Sequence, residues 1–218
     1  MKRLIAGRDA MDKGRTDAFT DGVFAIAITL LVLEIHIPEF RFEQGDDADA
    51  LLRLYLMQIG GPLLAYALSF ATIGIIWLNH HATFAKITYV DRAGNVLNLL
   101  LLAVVCFIPF PTALLSRYGP LPSVTAFYGA TFTAMSVAYG INWQYAVRKQ
   151  HHVDPETPAM TFAQALPGLI GTVFYAFGTL LAFVAPRAAV GLFVAIAVYY
   201  MLPGLFVRHR GAGGAGAA

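Results

Sequence analysis

Long apolar runs separated by short polar segments make up most of the chain. A transmembrane helix needs about 20 mostly apolar residues to cross about 30 Å of hydrocarbon. Six runs of this kind occur, at residues 19–37, 52–79, 94–115, 123–147, 162–185 and 187–207. The pattern predicts an all-α polytopic membrane protein whose six transmembrane helices form one domain over residues 1–207. The Gly- and Ala-rich segment 208–218 is predicted to be a disordered tail.

Some of these runs are expected to depart from simple straight helices. The second run is longer than a span requires, and the Gly-Gly-Pro sequence at 60–62 is expected to bend its helix or to delay the helix start. Pro109 and Pro111 lie near the end of the third run, where neighbouring helices or water can satisfy the carbonyls that they free. The last two runs are joined by "APRAA" and are expected to be two full spans, with one re-entrant hairpin as the alternative.

The composition agrees with a membrane protein and excludes several other classes. Hydrophobic residues make up 58% of the 218 residues and charged residues only 13%, against about 25% charged residues in soluble domains. The net charge of +2 is too small to indicate nucleic-acid binding. The one cysteine, Cys106, lies in an apolar run, so the sequence contains neither a disulfide framework nor a cysteine-based metal site.

The distribution of cationic residues predicts the orientation in the membrane. Cytoplasmic loops of membrane proteins are enriched in Lys and Arg. Of the 15 Lys and Arg residues, eleven flank the spans on the side of the N-terminus, and four lie on the opposite side, Arg41, Arg53, Arg117 and Arg187. Both termini are therefore expected in the cytoplasm, with the protein in the cell (plasma) membrane. The acidic loop "PEFRFEQGDDADA" would face outward, either as a plain solvated loop or as a segment that concentrates cations.

The first run carries a narrow apolar stripe. At about 100° per residue, Ile26, Leu30 and Leu33 lie on one face of a helix, with Thr29 beside them. Phe19 extends the stripe toward the cytoplasmic end. Periodicity alone makes such a stripe ordinary packing in a membrane helix, so a functional role needs further evidence.

Asp21 projects roughly 140° away from that stripe, toward a flank that is expected to face neighbouring helices. Ionisable groups at membrane depth are costly and are usually paired or functional. Candidate partners at the same depth are Arg15 and, in the segment "WLNHHATF" that closes the second run, Trp77, Asn79, His80 and His81. We therefore predict a buried hydrogen-bonded cluster that ties the first and second helices together. In the alternative, Asp21 only caps the first helix, with its side chain in water.

The segment around Asp21 also has a family resemblance. Arg15-x-x-x-Phe19-Thr20-Asp21, followed by "GVFAIAITLLVLEI", resembles the signature of the transmembrane protein 175 family, the endosomal and lysosomal potassium channels and their bacterial relatives. "WLNHHATF" and "FIPFPTALL" are also similar to that family. The usual motif reads Phe-Ser-Asp; here Thr20 replaces the serine and keeps the hydroxyl.

The resemblance implies a homotetramer with four copies of the first helix around a central ion path. Ile26 would form the tightest ring, Leu30 and Leu33 would form rings further outward, and Thr29 would lie at or beside the pore. The supporting motif and inter-helix network would comprise Arg15, Phe19, Thr20, Asp21, Trp77, Asn79, His80 and His81. The chain would then be a potassium-permeable cation channel whose partners are further copies of itself, the lipid bilayer and monovalent cations.

The expected mechanism does not use a carbonyl filter, because nothing similar to "TVGYG" occurs. Rings of apolar side chains can act as a constriction that closes by dewetting. Because potassium holds its water less tightly than sodium, such a ring would favour the larger alkali cations, with modest discrimination. No cofactor is expected beyond the permeating K⁺ and other monovalent cations or protons.

Two other functions are alternatives to the channel. A proton-conducting or proton-coupled transporter usually has ionisable groups near the midplane, whereas the stretch from Gly22 to Leu33 has none. An intramembrane enzyme needs a nucleophile–base pair or a metal constellation, and the spans contain no such pair and no helical His-Glu-x-x-His. We therefore predict that the chain is not an enzyme.

The histidines do not predict a metal site. His80 and His81 are adjacent and point about 100° apart on a helix, whereas a helical metal-binding pair needs i, i+4 spacing. A titrating role for either histidine near the cytoplasmic mouth stays open.

Overall fold

The structure is a computed structural model that describes residues 13–37, 47–149 and 166–202. The elements in these ranges are helices, which confirms the predicted all-α class. They are α1 (Lys13–Leu30), a 3₁₀ turn (Leu31–Glu34) that we call the outer turn, α2 (Ala48–Gln58), α3 (Gly60–Phe84), α4 (Arg92–Phe107), α5 (Pro109–Tyr118), α6 (Pro122–Arg148), α7 (Leu166–Leu181) and α8 (Pro186–Met201). The predicted tail and most of the acidic loop lie outside these ranges.

Three helical stretches of the described residues have the length and apolar character of membrane spans. They are Lys13–Glu34, Gly60–Phe84 and Arg92–Tyr118. α7 and α8 are also apolar, and 16 residues of each are described. The total of six spans, like the single domain over residues 1–207, stays a prediction.

The second predicted run contains two helices rather than one. α2 ends at Gln58 and α3 begins at Gly60, with Ile59 between them. The break therefore lies where the Gly-Gly-Pro sequence predicted a bend or a late helix start. α3 also continues past the expected end at Asn79, because its last turns still have their hydrogen bonds and close at Phe84.

The third predicted run is divided as well, where a single helix was expected. α4 ends at Phe107 and α5 begins at Pro109. Pro109 and Pro111 have no amide hydrogen, so the carbonyls of Val105 and Phe107 lose their usual partners four residues on. The Val105 carbonyl instead accepts from the Ile108 amide at 3.2 Å. The prolines therefore interrupt the helix inside the apolar run and do not merely end it.

α6, α7 and α8 pack around a buried aromatic cluster. The rings of Phe132 and Tyr175 have centroids 5.8 Å apart, and those of Tyr175 and Phe193 are 5.6 Å apart. Two glycines allow this packing, because a Cβ at Gly129 or at Gly178 would lie 2.6 or 2.4 Å from the Phe193 ring. These helices form a close-packed scaffold.

α1 packs against the rest of the chain by one face only. It contacts α3 and α4, and its buried residues recur at helical spacing as Thr16, Thr20, Phe24 and Ala27, continued by Leu31 in the outer turn. The other side of α1 contacts no described part of the chain closely enough to be buried. α1 is thus held along one line while most of its surface stays open.

Candidate functional site

The predicted apolar stripe lies on the open face of α1. Ile26 is 60% exposed, Leu30 41%, Leu33 71% and Phe19 56%. Thr29 is exposed beside them. Four large apolar side chains in a row are therefore left without partners in the isolated chain, and they point away from its own core.

Thr29 adds a polar atom to this face. Its hydroxyl donates to the Ile26 carbonyl at 2.9 Å. A hydroxyl has one proton and two acceptor lone pairs, so this bond uses the donor and leaves oxygen lone pairs on the open face. Such an oxygen suits a cation and not an anion.

The opposite face of α1 is fixed by a buried chain of hydrogen bonds. The Asn98 amide nitrogen of α4 donates to the Thr20 hydroxyl at 2.8 Å, and the Asn98 amide oxygen is 2.9 Å from His80 Nε2 of α3. Because that oxygen can only accept, His80 carries a proton on Nε2. All three residues are at most 3% exposed. Three helices are therefore tied together at one point.

A second bond of the same kind lies one turn nearer the start of α1. The Thr16 hydroxyl donates to the Asn95 amide oxygen of α4 at 3.0 Å. Asp91 is the N-cap of α4, because its carboxylate accepts a hydrogen bond from the Gly94 amide at 2.8 Å. Thr16 and Thr20 are therefore each hydrogen-bonded to an asparagine side chain of α4. These two bonds set the rotation of α1 about its axis.

Asp21 is bound to α3 by one of its expected partners. The Trp77 indole nitrogen donates to Asp21 Oδ1 at 2.9 Å, and Asp21 is exposed rather than buried. Because α1 already includes Lys13, Asp21 lies well inside the helix, and the alternative of a simple helix cap does not fit. Arg15 is exposed, and its side chain makes neither of the two ion pairs in the described ranges.

The remaining candidates have different surroundings. Asn79 and His81 are exposed on α3. Asn79 contributes its backbone carbonyl, which accepts from the Thr83 hydroxyl at 2.9 Å, and the His81 ring lies 5.9 Å from that of Trp77. The structure therefore brings Thr20 and His80 into the buried network and leaves the side chains of Asn79 and His81 outside it.

Two residues of this network were missed from the sequence. Asn95 and Asn98 stand three apart near the start of the third apolar run, where two amides at helical spacing are themselves a signal of helix-to-helix bonding. Asp17, which pairs with Lys13 at 2.7 Å, was missed as well.

A cleft of about 210 Å³ opens beside the network at this end of the bundle. Its lining includes Lys13, Asp17, Thr20, Asp21, His80 and His81. Across residues 13–37, 47–149 and 166–202, no group of three or more His, Cys, Asp or Glu side chains is arranged to hold a metal ion. The cleft is polar, and its carboxylates are partly engaged by Lys13 and by the indole nitrogen.

Comparison with known proteins shows which chains this one is similar to. The model of the family described as endosomal/lysosomal potassium channel TMEM175 matches residues 15–109, the part that contains α1 and its anchors on α3 and α4. A protein of Chamaesiphon minutus named a potassium channel is 35% identical over 211 residues, covering 91% of this chain and 98% of that one.

Two further relatives extend the comparison. The crystal structure of a lysosomal potassium-selective channel TMEM175 homolog from the same organism superposes with a TM-score of 0.73 at 34% identity, covering 87% of this chain and 96% of that one. The Gallus gallus protein named endosomal/lysosomal proton channel TMEM175 is 38% identical over 114 residues, which is 51% of this chain and 23% of that protein. With such identity to a relative that it matches over nearly the whole length, the chain belongs to the TMEM175 family.

Proposed function

We propose that this chain is a subunit of a potassium-permeable cation channel. Four copies assemble as a homotetramer, and the open face of α1 from each copy lines a central ion path. The names of the bacterial relatives support potassium as the permeating ion. Membership in a channel family also confirms that the chain is not an enzyme.

The observation that carries this proposal is the contrast between the two faces of α1. One face is fixed by Thr16 and Thr20 to amides of α4, and the other presents Ile26, Leu30 and Leu33 with no partner in the chain. Polar bonds between membrane helices give a helix a fixed rotation and so determine which side chains it turns outward. A helix that supplies one ring of side chains to a symmetry axis needs such a fixed rotation.

In this arrangement Ile26 forms the tightest ring, with Leu30 and Leu33 further outward. An apolar ring offers an ion no replacement for its water, so passage requires the ring to widen and closure follows from dewetting. Potassium loses water more readily than sodium, which favours it modestly. The Thr29 oxygen gives a cation one polar contact between the Ile26 and Leu33 rings. The permeating ion, K⁺ or another monovalent cation, is the only non-protein component in this account.

The orientation in the membrane is part of the proposal. We place the protein in the cell membrane with both termini in the cytoplasm. Lys86 and Lys149 support this, because each lies over an aromatic ring at the same end of α6, Lys86 at 5.8 Å from the Trp143 ring and Lys149 at 5.9 Å from that of Tyr145. Basic and aromatic side chains together are typical of a membrane interface on the cytoplasmic side.

Proton conduction is the second candidate, either alone or coupled to cation transport. The vertebrate relatives named proton channels favour it, and the polar cleft with Asp17, Asp21 and His80 supplies titratable groups at one end of α1. Potassium conduction is the first choice, because the stretch Gly22–Leu33 that would line the path has no titratable side chain.

Flux from liposomes tests this proposal. The purified protein is reconstituted, and K⁺, Na⁺ and H⁺ fluxes are measured for the wild type, Ile26→Asn and Val173→Asn. Val173 on α7 is as exposed as Ile26, at 60%, and is the matched control. We expect passive K⁺ flux in the wild type, with higher flux and weaker K⁺ preference only in Ile26→Asn. Flux that requires proton exchange would favour the transporter, and identical behaviour of all three proteins would remove Ile26 from the pore.

A further inference from the structure

The outer turn ends the proposed pore helix and carries its outermost ring residue. Leu31 is completely buried, while Leu33 is 71% exposed. Residues three apart eclipse each other in a 3₁₀ helix, so Leu31 and Glu34 lie on the same side, toward the bundle, and Leu33 is turned to the open face. Whatever holds the bundle side of this turn therefore also sets the direction of Leu33.

The carbonyls at this end of the helix have lost their helical partners, as at every helix C-terminus. One of them, and one carbonyl just past the outer turn, accept from hydroxyl groups of other helices. The Ser116 hydroxyl of α5 donates to the Glu34 carbonyl at 3.2 Å, and the Tyr55 hydroxyl of α2 donates to the His36 carbonyl at 2.9 Å. The end of α1 is thus bound from two sides.

α5 is itself held firmly in the bundle. Thr112 stands one turn before Ser116 and is buried, and its hydroxyl donates to the Ile108 carbonyl at 2.8 Å. It must therefore accept from Ser69 of α3, 2.8 Å away, and Ser69 in turn accepts from the Tyr128 hydroxyl of α6 at 2.9 Å. This directed chain of buried bonds fixes α5 at the break between α4 and α5.

α5 therefore connects the scaffold to the proposed pore helix through hydrogen bonds at two points. Its inner end is bonded at the break through Thr112, and Ser116 near its other end reaches the outer turn. The two side chains are four residues apart, so they lie on the same face of α5. The two prolines of the segment "FIPFPTALL" therefore have a structural role, because they begin the separate helix that carries Ser116.

We propose that Ser116 is a positioning residue for the outermost ring, with Tyr55 as a second anchor, and that their hydroxyls fix Leu33 of each subunit at the outer end of the ion path. This inference rests on the proposed channel function. Without the Ser116 bond, the outer turn leaves its bound position more often. The net free energy of a typical hydrogen bond changes the ratio of displaced to bound turns about fivefold. Discrimination between K⁺ and Na⁺ at the outer ring then weakens.

The test compares hydroxyl removal with hydroxyl retention at one position. Ser116→Ala, Ser116→Thr and the control Ser136→Ala, which removes a similar hydroxyl bonded to Thr172 at 2.6 Å between α6 and α7, are reconstituted in planar bilayers. We expect Ser116→Ala to raise the Na⁺/K⁺ permeability ratio, taken from the reversal potential, by about fivefold at most. Ser116→Thr and Ser136→Ala are expected to keep the wild-type ratio.

Leu33→Ala and Tyr55→Phe make the outcome decisive. A changed ratio in Leu33→Ala with a wild-type ratio in Ser116→Ala overturns this inference and leaves the channel function intact. Wild-type currents in both Leu33→Ala and Ile26→Asn overturn the proposed pore itself. If Ser116→Ala does not yield a folded protein, Tyr55→Phe takes its place, and a wild-type ratio in that variant counts against the anchor.

Discussion

The Trp77 indole nitrogen lies 2.9 Å from the Asp21 carboxylate and joins α3 to α1. The preceding residue, Thr20, is bonded to Asn98 of α4 at 2.8 Å. Two consecutive residues of one helix are therefore bound to two different neighbours, in directions about 100° apart. A helix held in this way can neither rotate nor slide without breaking one of the bonds.

Removing either partner of the Asp21–Trp77 bond should loosen the same contact. We expect Asp21→Ala and Trp77→Phe each to reduce the yield of the proposed tetramer or to change the open probability. In the double variant the effect should be no larger than that of the more damaging single change, because both remove one interaction. Size-exclusion chromatography and single-channel recording measure the two quantities. Full additivity of the two changes would show that Asp21 acts without Trp77.

The two buried hydrogen bonds of Asn98 should contribute more to stability than the exposed bond between Asp21 and Trp77. Asn98→Ala leaves the Thr20 hydroxyl and the His80 ring buried without their partner, and each such group costs about 1–3 kcal/mol. We expect the melting temperature in detergent to fall by several degrees. Thr20→Ser keeps the hydroxyl and removes only a methyl group, so it is the control, for which we expect a smaller fall in melting temperature. An unchanged melting temperature in Asn98→Ala would contradict a structural role for the network.

The glycines beside Phe193 give a prediction about the scaffold alone. A methyl group at Gly178 would lie 2.4 Å from the Phe193 ring, whereas one at Gly191 on α8 would meet no atom within 4 Å. Gly178→Ala should therefore destabilise the fold by about 1–3 kcal/mol through overpacking, and Gly191→Ala should not. Thermal unfolding followed by tryptophan fluorescence measures the difference. Equal stability of the two variants would show that the Phe193 ring moves aside freely.

Much of the fold follows from the apolar runs, because a long uninterrupted apolar segment has few stable forms other than a helix. The breaks were harder to locate. The Gly-Gly-Pro sequence marks the break before α3. Pro109 and Pro111 lie near the end of the third run, but their position alone does not predict that a separate helix, α5, continues from them to Tyr118. A proline fixes where a hydrogen bond is lost, while the packing of the next segment decides whether a helix resumes.

The candidate site could be predicted only in part for a similar reason. The periodicity of α1 gave the stripe at Ile26 and placed Asp21 on another flank, and Trp77 was among the expected partners. The periodicity does not identify Asn98 as the partner of Thr20, because that contact depends on how α4 crosses α1. His80 bonds to that same buried amide, whereas Trp77, one turn earlier on α3, reaches Asp21 near the surface.

The central claim is that Ile26 faces an aqueous ion path, and cysteine accessibility tests it most directly. Ile26→Cys is prepared in a Cys106→Ala background, because Cys106 is exposed, and Val173→Cys serves as the control in the same background. A small cationic thiol reagent is applied during current recording. We predict that it irreversibly reduces the current of the Ile26→Cys channel and leaves the Val173→Cys channel unchanged. Full current through the Ile26→Cys channel, with its thiol shown by mass spectrometry to be unmodified, would contradict the account.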